Sequence, residues 1–428
     1  MKSFKKNNIC VYGILFMVVL FGFYLRSNGI FTNSFAFTYD VGRDLLAVRD
    51  LVINHKISLI GFTTGKEGIF YGPIWYWILV IPFLFSSGDP QKIALFMALS
   101  GTLIILIGFL IGKKMGGNFF GIIFATLLSF SPVMIGTSSQ IWNPNLAPFF
   151  VIVLLYVLMR NDFNTKKTFF FIGILLGIIL ELEIVFGLLL IISIGIYVFF
   201  LSRTAGILKK FFAFILGIIS ILSPKIIFDV RHNFLMTRSF LTLFGGPSSE
   251  KLSLSFFSNI PQRIQILINL FSDSLTNSNN RLGILLFLCC FFICIYYSKK
   301  LSKNHKILLR VVFVTLVTYV IGLSFFSHDI WPHYLIGLPI FFILFVTTAI
   351  DIVNDNYIVK ILSVFIVLCI SIINTNPIQV WNDIKKPVWE GNVAVYRNQL
   401  AVINYIYQDS KKLGFNYNAY TPHIYDYT

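Results

Sequence analysis

The chain has 428 residues, of which 57% are hydrophobic and 17% aromatic while only 12% are charged. A soluble domain carries about 25% charged residues, so a mean hydropathy of +0.81 excludes a disordered chain and a conventional cytosolic enzyme alike. The net charge of +16 comes from basic residues that punctuate apolar runs, with no stripe of them interleaved with exposed aromatics; that pattern points away from nucleic acid and toward positive-inside loops that meet anionic lipid headgroups.

Lys2, Lys5 and Lys6 precede an uncharged run over residues 9–25. At ~1.5 Å per residue this run crosses ~30 Å of hydrocarbon. It exceeds a signal-peptide core and lacks a small-residue cleavage site, so it reads as a retained first helix with a cytoplasmic N-terminus. Residues 26–70 then form a long outer segment. Residues 71–87 are apolar but interrupted by Pro73 and Pro82. Counting them as a crossing would invert every later loop, so they read as a partly inserted helix, flat or re-entrant.

Good spanning candidates follow at residues 93–112, 118–136, 184–201, 282–298, 311–327 and 334–350. Weaker ones lie at 146–159, 168–180, 211–228 and 357–373, which are short or carry a charge. Basic clusters at Lys113 and Lys114 and at residues 160–167, 203–210 and 299–310 close the hairpins if all are cytoplasmic. The expected fold is an all-α polytopic domain over residues 1–373 in the cytoplasmic (plasma) membrane, with about 11–13 transmembrane helices. A second long outer segment is expected at residues 229–281. Residues 374–428 emerge on the outside, with a helix at 395–408 and a strand at 415–420, as a small outer α/β segment that stops without a closing element and so reads as truncated. Cys10, Cys289, Cys290, Cys294 and Cys369 all sit in apolar stretches and read as packing residues.

The chemistry concentrates in the first outer segment. Asp40, Arg43, Asp44 and Ala47 recur at helical spacing, while Leu45, Leu46, Val48, Leu51 and Val52 supply an apolar side. This describes an amphipathic helix at the membrane interface. It is either a solvated helix with internal ion pairs or a site where a carboxylate meets an acceptor hydroxyl and a lipid-borne donor.

Asp40, Arg43, Arg49 and Asp50 resemble the first-loop signature of the C-type (GT-C) lipid-phosphate-dependent glycosyltransferases, in particular the family 39 protein-mannosyltransferase and lipid A aminoarabinose-transferase group. The run Gly72-Pro73-Ile74-Trp75-Tyr76-Trp77 resembles the family's Pro-Pro-Leu-Tyr-Tyr-Trp stretch, and Pro332-His333-Tyr334 through Pro339 resembles its later His-Tyr element. The resemblance implies a membrane glycosyltransferase with Asp40 as general base and Asp44, one turn on, as the rival base. Arg43 would orient Asp40 or hold phosphate, with Tyr76, Asn143 and His333 as further substrate contacts. The donor would be a polyprenyl-phosphate sugar and the acceptor a lipid, glycan or protein outside the cell. No cofactor beyond that co-substrate is expected. Three positions depart from the family pattern: Val41 follows Asp40, Gly72 replaces a basic residue, and Asn143 stands where a second acid belongs. A neutral second site argues against a metal held between two carboxylates.

Charge logic adds Lys225, Arg231, His232 and Arg238, basic residues on the expected outer side. They either bind the donor phosphate or belong to a long loop that translocates regardless of charge. Glu181 and Glu183 interrupt an apolar run and mark an outer hairpin turn or face a polar cavity. A flippase for lipid-linked saccharides is the alternative from another class. It would show charges deep in several helices and repeated hydropathy, which are few and absent here. A polysaccharide polymerase is a third reading, with its main outer loop expected near residues 229–281.

Overall fold

The computed structural model describes residues 2–159, 165–201, 206–245, 250–326, 329–353, 357–375 and 394–413. Among these the fold is entirely helical, with two isolated antiparallel bridges, Ala36 to Val395 and Thr63 to Phe70. The first half comprises α1 (Lys2–Phe31), α2 (Tyr39–Ile53), α3 (Ile74–Ser86), α4 (Pro90–Phe130), α5 (Pro132–Ser138), α6 (Ala147–Leu158), α7 (Lys166–Leu182) and α8 (Ile184–Ile196). The second comprises α9 (Ile207–Arg231), α10 (Leu235–Gly245), α11 (Glu250–Leu275), α12 (Asn280–Tyr296), α13 (Lys303–Ser324), α14 (Leu338–Ile352), α15 (Tyr357–Thr375) and α16 (Tyr396–Leu413).

Among the described residues six helices are long and apolar enough to cross a membrane, or eight if each of two bent pairs counts as one span. The chain is thus a multi-pass membrane protein, with fewer spans by this measure than the eleven to thirteen expected. Two features explain the difference. The 41-residue α4 counts once although it folds back on itself, with non-helical backbone at Gly116 and at Gly117, whose φ is +83°. A positive φ of that size is readily adopted by glycine alone. In addition α3, α7 and α8 fall short of 18 residues. With 13 residues, α3 reaches only about 20 Å, less than a ~30 Å core.

α14 forms the centre of the bundle and is buried along nearly its whole length. Around it pack α4, α6, α11, α12 and α13. The peripheral helices α1 and α15 leave Phe16, Met17, Phe21, Ile358 and Phe365 exposed, as a lipid-facing surface requires. α7 and α9 run parallel with backbones in contact, Gly173 meeting Gly217 and Gly177 meeting Ile218 and Ile221. Small residues permit that approach where lipid supplies no hydrophobic drive.

Two of the expected basic loops meet. Asn304 Nδ2 donates to Lys114 O over 3.3 Å, joining them, and His305 Nε2 lies 2.9 Å from Asp351 Oδ2. The stretch expected as a second outer segment, residues 229–281, holds α10 and α11, and α11 packs along α12, α13 and α14. No α/β segment occurs among the described residues at the C-terminus: α16 covers the expected helix, and the expected strand at 415–420 lies outside them. Buried Arg26 ties α1 to the end of α4, donating to Ser129 O and Leu128 O at 3.0 Å each. A cation suits carbonyls left open at a helix C-terminus.

Candidate functional site

α2 carries its polar residues on two faces. Val41, Asp44, Leu45 and Val48 are buried against the bundle, while Arg49 and Asp50 are exposed. Arg43 stands between the two acids. Its Nη1 lies 2.9 Å from Asp40 Oδ1, and its Nε and Nη2 donate to Asp44 Oδ1 at 2.9 and 2.8 Å. The other Asp44 oxygen accepts from Trp75 Nε1 at 2.8 Å, at the start of α3. The hydroxyl of Tyr76 interacts with the same Arg43–Asp44 pair. The two acids therefore differ sharply: the Asp40 side chain is 48% exposed and the Asp44 side chain 3%. Burial pushes the Asp44 carboxyl above its ordinary value, against the opposing pull of Arg43 and Trp75.

An aromatic chain leads inward from Arg43. Its guanidinium lies 4.3 Å over the Phe62 ring, and Phe62 stacks on Tyr71 at 4.5 Å. The segment between them is a small hairpin in which Gly61 N donates to Tyr71 O and Tyr71 N to Phe62 O. Tyr71 Oη donates to Glu183 Oε2 over 3.4 Å. Burial, and next the Glu183 carboxylate, push the Tyr71 phenol far up, so it acts as a neutral donor.

The α7–α8 turn completes the wall. Glu183 is the single extended residue between the two helices, and Asn143 Nδ2 donates to Leu182 O beside it at 2.6 Å. Glu181, on the last turn of α7, pairs with Lys225 of α9 at 2.6 Å. Its carboxylate lies so close to the Gly72 backbone that any Cβ at position 72 would overlap it. Trp142 meets His333 edge-on at 5.2 Å, and His333 meets Tyr334 at 4.6 Å.

The structure therefore joins Asp40, Arg43, Asp44 and Tyr76 in one cluster, and brings in Lys225 through Glu181 and Gly72. Asn143 reaches the same wall through Leu182, and His333 through Trp142 and Tyr334. Arg231 and His232 sit on the exposed end of α9, where His232 stacks on Phe228 at 3.9 Å. Arg238 is exposed on α10. Sequence reading missed Trp75 as the anchor of Asp44, and it missed Phe62 and Tyr71; only Trp75 lay inside a quoted motif. Among the described residues no group of three or more His, Cys, Asp or Glu is arranged to hold a metal ion. On the far side of α2 an apolar groove of about 630 Å³ is lined by Phe37, Leu45, Leu46, Val52 and Phe83, with Arg49 on its rim.

No family model matches the sequence, and no curated protein matches it. Solved structures do match in fold. ArnT from Cupriavidus metallidurans bound to undecaprenyl phosphate aligns with a TM-score of 0.55 at 13% identity, covering 80% of this chain and 60% of that one. The same enzyme in its apo state gives 0.51 at 12% identity, covering 82% and 61%. The Archaeoglobus fulgidus oligosaccharyltransferase in complex with Zn and sulfate gives 0.51 at 12% identity, covering 85% and 52%. The fold is therefore similar to that of ArnT and of the archaeal oligosaccharyltransferase, and the chain spans about 60% of the length of ArnT.

Proposed function

We propose that this protein transfers a sugar from a polyprenyl-phosphate donor to a hydroxyl of a lipid, glycan or protein acceptor at the outer membrane face, with Asp40 as the general base. The observation that carries the reading is the unequal treatment of the two acids on α2. Asp44 has both oxygens occupied, by Arg43 and by Trp75, and is buried. Asp40 gives one oxygen to Arg43 and is otherwise open. A base must reach its proton, and Asp40 alone of the pair has that freedom.

The reaction is one in-line displacement. Asp40 takes the acceptor O–H proton as that oxygen bonds to the anomeric carbon, whose bond to the phosphate oxygen breaks. The leaving group departs as a polyprenyl phosphate anion and needs no proton from an acid. Cations then matter more than acids, since they stabilise charge that develops on the leaving oxygen. Arg43 is the nearest, with Arg231, His232 and Arg238 at the α9–α10 end as further candidates. Lys225 is engaged by Glu181, and we assign it to shaping the wall. The ArnT structure contains undecaprenyl phosphate, which supports a lipid of that class as donor here, and the groove behind α2 suits part of a prenyl chain.

Sugar transfer in proteoliposomes from a panel of polyprenyl-phosphate sugars tests the reading, with Asp40→Asn beside wild type. Loss of the chemical step with donor binding retained supports it. If no donor is consumed and labelled lipid-linked saccharide instead crosses the bilayer, the protein is a flippase. Progressive chain lengthening would identify a polymerase.

A further inference from the structure

The root of α2 is held by a segment more than 350 positions away. Phe37 N donates to Ala394 O at 2.7 Å, and Gln399 Nε2 donates to Phe37 O at 2.8 Å. Both main-chain polar groups of Phe37, three residues before Asp40, are therefore occupied by the C-terminal segment. The antiparallel bridge of Ala36 with Val395 continues the pairing. Tyr396 N donates to Phe35 O at 3.0 Å and Arg397 N to Asn33 O at 2.8 Å. The Tyr396 ring contacts both Phe35 and Phe37, at 5.0 and 5.1 Å between centroids.

These contacts converge on the stretch of chain that leads into Asp40. Residues 32–38 connect α1 to α2, and Thr38 is the N-cap of α2 without a side-chain cap bond. The start of α2 therefore depends on its neighbours more than on its own capping. Phe35 is buried, whereas most of α16 from residue 401 to 410 is exposed. The first turn of α16 is where it fixes Phe37.

We propose that residues 394–399 act as a strap that fixes the root of α2 and so positions Asp40, with Tyr396 as the positioning residue, and that the strap stays docked through turnover. The inference rests on the glycosyltransferase reading for its catalytic consequence and on the contacts alone for the docking. Displacing a reacting group by about 1 Å costs up to ~100-fold in rate, so a loosened root is felt as a loss of kcat with donor KM kept.

The test uses the full chain in nanodiscs with Tyr396→Ala, Tyr396→Phe and the pair Ala36→Cys with Val395→Cys. Facing residues of an antiparallel pair lie about 4.5–5.5 Å apart at Cα, within reach of a disulfide. Tyr396→Ala is expected to lower kcat about tenfold or more, leave donor KM within about twofold, and speed amide exchange at Phe37. Tyr396→Phe keeps the ring and should behave as wild type. The disulfide placed in the Tyr396→Ala background should restore kcat, and reduction should abolish the rescue. Unchanged Phe37 exchange in Tyr396→Ala overturns the strap. Unchanged kcat, or a disulfide that stops turnover in the otherwise wild-type chain until it is reduced, overturns the positioning role. A wild type that transfers no sugar overturns the parent reading instead, and the exchange measurement then decides the strap alone.

Discussion

Trp75 Nε1 donates to Asp44 Oδ2 over 2.8 Å and so fastens the first turn of α3 to α2. Both partners are buried, and the acceptor is a carboxylate whose other oxygen is taken by Arg43. A hydrogen bond to a charged group contributes about 1.5–3 kcal/mol, and this one also sets the distance between the Arg43 cluster and the aromatic wall. Trp75→Phe keeps most of the ring volume and removes only the donor. It should lower thermal stability in detergent by about that amount and depress kcat more than it raises donor KM. A variant as stable and active as wild type would show that the bond constrains nothing.

Asp44 also makes stability depend on pH. Burial raises its native pKa above the ordinary value of 3.8, and Arg43 and Trp75 only partly oppose that shift. A group whose native pKa is raised binds more protons folded than unfolded between the two values, so stability falls as pH rises through that window. The contribution is fully present below pH 3.8 and lost as pH climbs through the native value. Unfolding midpoints in nanodiscs across the acid range should show this slope, and Asp44→Asn should flatten it. A slope that Asp44→Asn leaves unchanged would assign it to another group.

Much of this site was legible in the sequence, for a physical reason. Asp40, Arg43, Asp44 and the Gly72-to-Trp77 run are local patterns, and helical spacing alone puts the first three together. Of the two readings of Glu181 and Glu183, an outer hairpin turn or a polar cavity, the structure shows that α7 ends between them and that their carboxylates face Lys225 and Tyr71. Asn143, sought as a replacement for an acid, turned out to bond a backbone carbonyl. The rest was hidden because it depends on distant segments. A single bridge such as Ala36 to Val395 has no alternating pattern to betray it. Nor does a glycine in a loop announce that a carboxylate from α7 will rest on it.

Asn143 makes the α7–α8 turn depend on the chain before α6. Its Nδ2 satisfies Leu182 O at 2.6 Å, and Asn143 is itself buried. Asn143→Ala leaves that carbonyl without this donor, which costs about 1–3 kcal/mol for a buried group. Asn143→Asp should be worse, since it sets an acceptor against an acceptor in a turn that already carries two acids. Thermal unfolding should therefore rank the wild type above Asn143→Ala and that above Asn143→Asp. If Asn143→Asp were the more stable of the two, the position would be better described as a vacant acid site, as the family resemblance first suggested.

The Glu181–Lys225 pair gives the sharpest test of how the wall is built. Lys225 Nζ lies 2.6 Å from a carboxylate that is entirely buried, and that carboxylate rests on Gly72 at the entrance to α3. Removing one partner of such a pair leaves a buried charge uncompensated, at about 3–5 kcal/mol, whereas removing both is often nearly neutral. Lys225→Met and Glu181→Gln should each destabilise the protein, and the double variant should recover most of the loss. Gly72→Ala attacks the same contact from the other side, because its methyl must displace the carboxylate. It should be damaging alone and less so when combined with the double variant, in which the buried pair no longer fixes the position of residue 181. If Lys225→Met leaves stability unchanged but weakens donor binding, the lysine serves the phosphate directly and Glu181 merely stores it. The coupling measured in the double variant separates the two roles.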